Sequence, residues 1–136
     1  MILSKLGLVD LITAIQSKVE TKTELRCYGD IPLNTPGPFY FVEIIGRRPQ
    51  NTKAMWCEVF RVKIHVIAEP SGSSIQVYEL IEKLEESLQE GIEIPEKFRL
   101  LLQTNQGLQV INEDETSEKR ATLAYDFKVC YGFRAK

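Results

Sequence analysis

The chain has 136 residues, 43% hydrophobic and 26% charged, with 17 Lys+Arg against 19 Asp+Glu and a net charge of −2. That length suits a single domain, residues 1–136, with one core, and the balance excludes wholesale disorder and a fibrous repeat. Near-neutrality argues against a general nucleic-acid binder, and no apolar run reaches the roughly 18–20 residues of a membrane-crossing helix.

The start, Met1-Ile2-Leu3-Ser4-Lys5, lacks the long apolar stretch of a secretory signal, so the expected compartment is the cytoplasm. From about Leu3 to Val19, Leu8, Leu11, Ile12, Ile15 and Val19 recur at helical spacing and predict an amphipathic helix. Glu24 to Tyr28 alternates in polarity as a short strand. Pro32, Pro36, Gly37 and Pro38 then impose an irregular connection, because each proline fixes φ and removes a backbone donor.

Phe39 to Ile45 is a nearly continuous apolar run, which predicts a central strand covered on both faces. Gly46 to Met55 is polar and reads as a hairpin tip or long loop. In Trp56 to Ala68, Phe60, Val62, Ile64 and Val66 alternate with Arg61, Lys63 and His65, giving a strand with one core face and one face that is wet or covered by a partner.

Ser73 followed by Gln76 has the form of a capping box opening a helix over 74–90. There Val77, Leu80, Ile81, Leu84 and Leu88 share a face, Glu79, Glu82, Glu86 and Glu90 line another, and Gly91 supplies the stop. Ile92 to Leu102 suits either a short strand or a helical turn. Gln109 to Asn112 reads as a strand, and Glu113 to Glu118 as an acidic hairpin tip. Ala121 to Phe133 alternates throughout and predicts a long half-buried strand. Helices segregated from hairpin-connected strands imply an α+β fold, a mostly antiparallel sheet with two main helices packed on one face.

Three cysteines, Cys27, Cys57 and Cys130, are odd in number and far apart, and read as reduced, packed thiols. His65 is the single histidine. A zinc site of the three cysteines with His65 is formally available, but such sites use paired, closely spaced ligands. No phosphate-binding glycine loop, metalloprotease motif or nucleophile elbow occurs, so no catalytic residue, metal or cofactor is expected.

Charge is unevenly spread. Residues 1–68 carry net +3 and residues 69–136 net −5. Glu69 to Glu96 holds eight glutamates and one lysine, whereas Gly46 to Lys53 holds Arg47, Arg48 and Lys53 without an acid. Opposed patches on a small subunit suit head-to-tail association, which closes a ring when the rotation allows.

The run Tyr28-Gly29-Asp30-Ile31-Pro32-Leu33-Asn34 and then Pro38-Phe39-Tyr40-Phe41-Val42-Glu43-Ile44 resembles the tail terminator, or tail completion, proteins of long-tailed phages and prophages. The strand from Trp56, the helix after Ser73 and the long final strand follow in the family's order. The resemblance implies a structural protein of the virion tail, assembled in the host bacterial cytoplasm. Its copies would form a hexameric ring, starting from monomers in some cases, that caps the tail tube and joins it to the head connector. Its expected partners are itself, the major tail tube protein and the head-completion protein, with DNA passing through the lumen ungripped and no membrane involved. On that reading Arg47, Arg48, Lys53, Glu79, Glu82, Glu86, Glu113, Asp114 and Glu115 are the expected interface residues. Two rival readings are a small-ligand-binding or regulatory domain of ferredoxin-like character and a zinc or thiol enzyme centred on Cys57 and His65.

Overall fold

A computed structural model describes residues 4–70, 73–113 and 118–133, apart from the Glu113 side chain. The elements run α1 (Leu8–Thr23), β1 (Cys27–Tyr28), β2 (Phe39–Pro49), β3 (Met55–Pro70), α2 (Ser74–Ser87), β4 (Arg99–Glu113) and β5 (Glu118–Phe133). The sheet order is β1-β2-β3-β5-β4. β1 pairs with β2 in parallel and the other pairs are antiparallel, so the α+β sheet is mixed and mostly antiparallel.

Both helices lie on the same face. Leu11, Ile15 and Val19 of α1 and Val77, Leu80, Ile81 and Leu84 of α2 are buried in one cluster with Tyr40, Val42, Phe60, Val62, Ile64, Leu123, Tyr125 and Phe127. α1 starts later than its periodicity suggests: Gly7 is extended, Leu8 is 44% exposed, and the helix runs on to Thr23, where Glu24 turns left-handed with φ 62°. α2 begins as expected, with Ser73 Oγ accepting from the Gln76 backbone N–H at 3.2 Å. Gln76 does not close the box. Its Oε1 accepts from the backbone N–H of Glu69 at 3.0 Å, pinning the end of β3 to the helix start.

Three expectations need correction. The central strand is β3, because only Cys27 and Tyr28 cover the outer edge of β2. The continuous apolar run of β2 arises because Tyr40 and Val42 face the helices while Phe39 and Phe41 pack on the opposite face. Only the end of the ambiguous segment, from Arg99 to Leu102, is strand, and it joins the short strand at 109–112 in the 15-residue β4, whose pairing with β5 shifts register at Leu100/Leu102, Asn105/Gly107 and Leu108/Val110. Each shift breaks the period-2 pattern from which a strand is read. The third correction concerns Cys57 and Cys130, which form a disulfide instead of standing as reduced thiols. They are 73 residues apart in sequence, but β3 and β5 are neighbours and bring their Cα atoms within 4.1 Å. Cys27 is free and buried.

Candidate assembly interface

β2 does not end at Ile45. It passes a register shift at Ile44/Gly46 and continues to Pro49, so Arg47 and Arg48 are strand residues and only a short turn carries Lys53. That turn is tightly held: Gln50 N–H donates to the Cys57 carbonyl, Thr52 N–H to the Met55 carbonyl, and Cys57 N–H to Asn51 Oδ1. Successive residues of a strand point to opposite faces, which separates the two arginines. Arg47 Nε lies 3.7 Å from Glu58 Oε2. Glu58 is 7% exposed and also accepts from the Tyr131 hydroxyl at 2.7 Å, with Lys5 Nζ at 3.9 Å. Arg48 and Lys53 are exposed and, among the described residues, make no ion pair.

On α2, Glu79, Glu82 and Glu86 are exposed, as their spacing implies. The acidic run does not continue as one surface. Beyond the helix, Glu90 accepts from Lys22 at 3.2 Å and Lys18 at 3.3 Å, and these cations hold its carboxyl below the usual range. They tie α1 to the chain after α2. Glu113 lies at the end of β4, while Asp114 and Glu115 fall outside the described residues.

Two surfaces escaped the sequence reading in detail. The first is the helix-free face of the sheet. Phe41 stacks on His65 at 4.9 Å, and His65 hydrogen-bonds Glu43 through Nε2 at 2.8 Å and Thr122 through Nδ1 at 2.9 Å. Arg61 donates to both oxygens of Asp126, at 3.0 and 3.3 Å, and Gln106 Nε2 donates to the same carboxylate. Carboxylate, imidazole and hydroxyl follow one another as in a hydrolase triad. Thr122, however, sits mid-strand between β3 and β4, where ladder bonds engage the backbone N–H groups that an oxyanion site would require. The trio instead links three adjacent strands. Beside it, the segment 31–36, with exposed Ile31 and Leu33, borders an open groove of about 720 Å³.

The second surface is the edge of the sheet at β4. Leu101, Leu102, Leu108, Val110 and Ile111 are 40–57% exposed along that one edge strand. Their partners on β5 divide them between the two faces, Leu108 and Ile111 standing opposite the buried Leu123 and Ala121 and Leu102 and Val110 opposite Lys128 and Thr122, so the apolar side chains flank the edge on both sides. Its sequence signal, a cluster of leucines after Pro95, was visible, but its placement at an edge was not.

The zinc and thiol reading loses its arrangement here. Cys57 and Cys130 are bonded to each other, and among the described residues no three His, Cys, Asp or Glu side chains converge as a metal site. No helix among those residues is long and apolar enough to cross a membrane.

Residues 2–136 match the model of a family of phage tail terminators described as "Putative tail termination protein". The chain belongs to this family of phage tail terminators. Among solved structures it is similar to a chain from the "Virion of native gene transfer agent (GTA) particle", with a TM-score of 0.64 and 14% identity. The match covers 88% of this chain and 94% of that one, and at this identity the likeness is one of fold. No curated protein matches the sequence. The terminator is therefore a structural component of a phage virion tail, and its surfaces are where its function is to be sought.

Proposed function

We propose that this terminator assembles as a hexameric ring on the end of the tail tube, stops tube growth and presents the surface to which the head connector binds. Membership of the terminator family across residues 2–136 carries this reading. Assembly would take place in the host bacterial cytoplasm, from monomers that close into a ring on meeting the tube. The subunit's surface suits such a role: one side ends in a basic hairpin tip with Arg48 and Lys53, another carries the glutamates of α2, and the β4 edge is apolar. A ring needs two unlike patches on every copy, each fitting the other. An acidic lumen wall would let DNA slide by repelling phosphate.

The test is to mix purified terminator with the polymerising tail tube protein of the same phage and image the products by electron microscopy. Capped tubes with six copies at one end are expected. Uncapped tubes of unchanged length distribution, with no terminator at their ends, would overturn the proposal.

A further inference from the structure

Between α2 and β4 lies a notch of about 410 Å³, lined by Glu85, Leu88, Gln89, Gln103, Asn105 and Tyr125. Its walls are fixed by bonds that consume the amides of Gln103 and Asn105. Gln103 Nε2 donates to the carbonyls of Leu88 and Glu90, at 2.8 and 2.9 Å, and its Oε1 accepts from Ile92 N–H at 2.9 Å. Asn105 Nδ2 donates to Glu85 Oε2 at 2.7 Å, and Asn105 Oδ1 accepts from Gly107 N–H at 2.7 Å. Of the polar groups left over, the exposed Gln89 amide among them, two set the charge the notch would accept. One is the remaining capacity of the Glu85 carboxylate, beside the exposed glutamates of α2. The other is the Tyr125 hydroxyl, which belongs to a residue 2% exposed and has no hydrogen-bond partner among the described residues.

A buried phenol without a partner is costly, so its presence beside Glu85 in a negatively charged notch calls for a donor arriving from outside. Burial, and then Glu85, holds the phenol above its ordinary range, so it stays protonated and its oxygen remains an acceptor. An anion and a neutral oxygen side by side fit a compact cation with several N–H donors, which is a lysine ammonium. Of the exposed lysines that make no ion pair among the described residues, Lys53 is the one carried in the β2–β3 turn, where it projects from the sheet's end.

We infer that the Glu85–Tyr125 notch receives Lys53 from a second copy of this chain, while Arg48 of that copy lies against the outer glutamates of α2. The contact is heterologous, since the tip of one copy meets the flank of the next, and such contacts generate rings or filaments. This inference rests on the proposal that the terminator self-assembles and assigns the surfaces involved.

The experiment measures self-association by analytical ultracentrifugation, alone and on tail tube ends, for wild type, Glu85→Lys, Lys53→Glu and Tyr125→Phe. The thermal melt of each subunit serves as a folding control. Each charge reversal should weaken association about tenfold or more, since it sets like charges together in a partly desolvated site. An equimolar mixture of Glu85→Lys and Lys53→Glu should associate with near wild-type strength, because every contact between unlike variants, as in an alternating ring, again pairs opposite charges. Tyr125→Phe should weaken association while leaving the subunit's melting temperature equal or higher, a split that a purely structural role for the hydroxyl would not produce. Singles that weaken association without rescue in the mixture would overturn the Lys53–Glu85 pairing. Unchanged association with loss of tube binding in Glu85→Lys would place a tube-protein cation in the notch and overturn the second-copy assignment. A monomer under all conditions, tube ends included, would overturn the self-assembly proposal itself.

Discussion

Arg47 is bound to its own subunit through Glu58: its Nε lies 3.7 Å from a carboxylate side chain that is 9% exposed. Glu58 also receives the Tyr131 hydroxyl, so this pair sits at a junction joining β2, β3 and β5 near the chain's first described residues. Replacing Arg47 by glutamate sets a second carboxylate beside a largely buried one. Arg47→Glu should therefore destabilise the subunit by about 1–3 kcal/mol, whereas Arg48→Glu should stay within about 0.5 kcal/mol of wild type. Urea unfolding followed by circular dichroism separates the two. Equal stabilities would remove Arg47 from the fold and return it to the surface.

The disulfide between Cys57 and Cys130 closes a separation of 73 residues, which restricts the unfolded chain strongly. The Cys57→Ala, Cys130→Ala double variant should lose about 2–4 kcal/mol, and wild type in dithiothreitol should lose a similar amount. Denaturation midpoints with and without reductant provide the measurement. A midpoint indifferent to reductant would contradict the expectation.

Gly37 stands against the backbone of Ala68, and a Cβ added there would collide with the Ala68 carbonyl oxygen. Both partners are main chain, so neither can swing aside as a side-chain end would. Gly37→Ala should cost about 1–3 kcal/mol by overpacking and lower the melting temperature, while Gly46→Ala, which meets open space, should do neither.

Alkaline conditions should unfold the terminator more readily than its ordinary tyrosine content suggests. Burial pushes the Cys27 thiol up to about 12, assisted by the Glu20 carboxylate, and raises the phenols of Tyr40, Tyr125 and Tyr131 above their usual range. Each group is neutral in the folded chain at pH values where the unfolded chain has already lost its proton. Stability is fully present below the unfolded values, near 9 for the thiol and 10 for the phenols, and falls as pH rises toward the folded ones. The decline is up to about 1.4 kcal/mol per pH unit for each group that ionises only when unfolded. Unfolding free energies at pH 8, 10 and 11 should fall progressively, and a flat profile would refute this.

Where one face of an element is buried and regular, the fold could be read from sequence. The stripe Val77, Leu80, Ile81, Leu84 placed α2, and the alternation from Ala121 onward placed β5, because both are buried on one side for most of their length. β4 was legible only in part, since three register shifts scramble its alternation and its outward leucines mimic a core segment. The disulfide depends on strand order, which no local pattern encodes. Of the residues expected at an interface, Glu79, Glu82 and Glu86 are exposed on α2 and Lys53 in a turn, whereas Arg48 is exposed on strand β2 and not in a loop, and Arg47 is engaged by a glutamate eleven residues later. The Tyr125 hydroxyl could not have been found, because in sequence it is one more inward residue of an alternating strand.

The interrupted pairing of β4 bears on how the subunit avoids unwanted company. An uninterrupted edge strand is a template on which further strands add without end, and the outcome is fibrous aggregate. Along β4, consecutive pairing with β5 persists from Leu102 only to Asn105 before the backbone turns out of line, with Gly107 at φ 98°. Any strand approaching from outside meets main-chain groups that fall out of step every few residues. The edge can therefore offer its leucines and valine as side-chain contacts while refusing the ladder itself. A protein of a family whose task is to end a polymer thus carries, in its own sheet, a strand poorly suited to starting one.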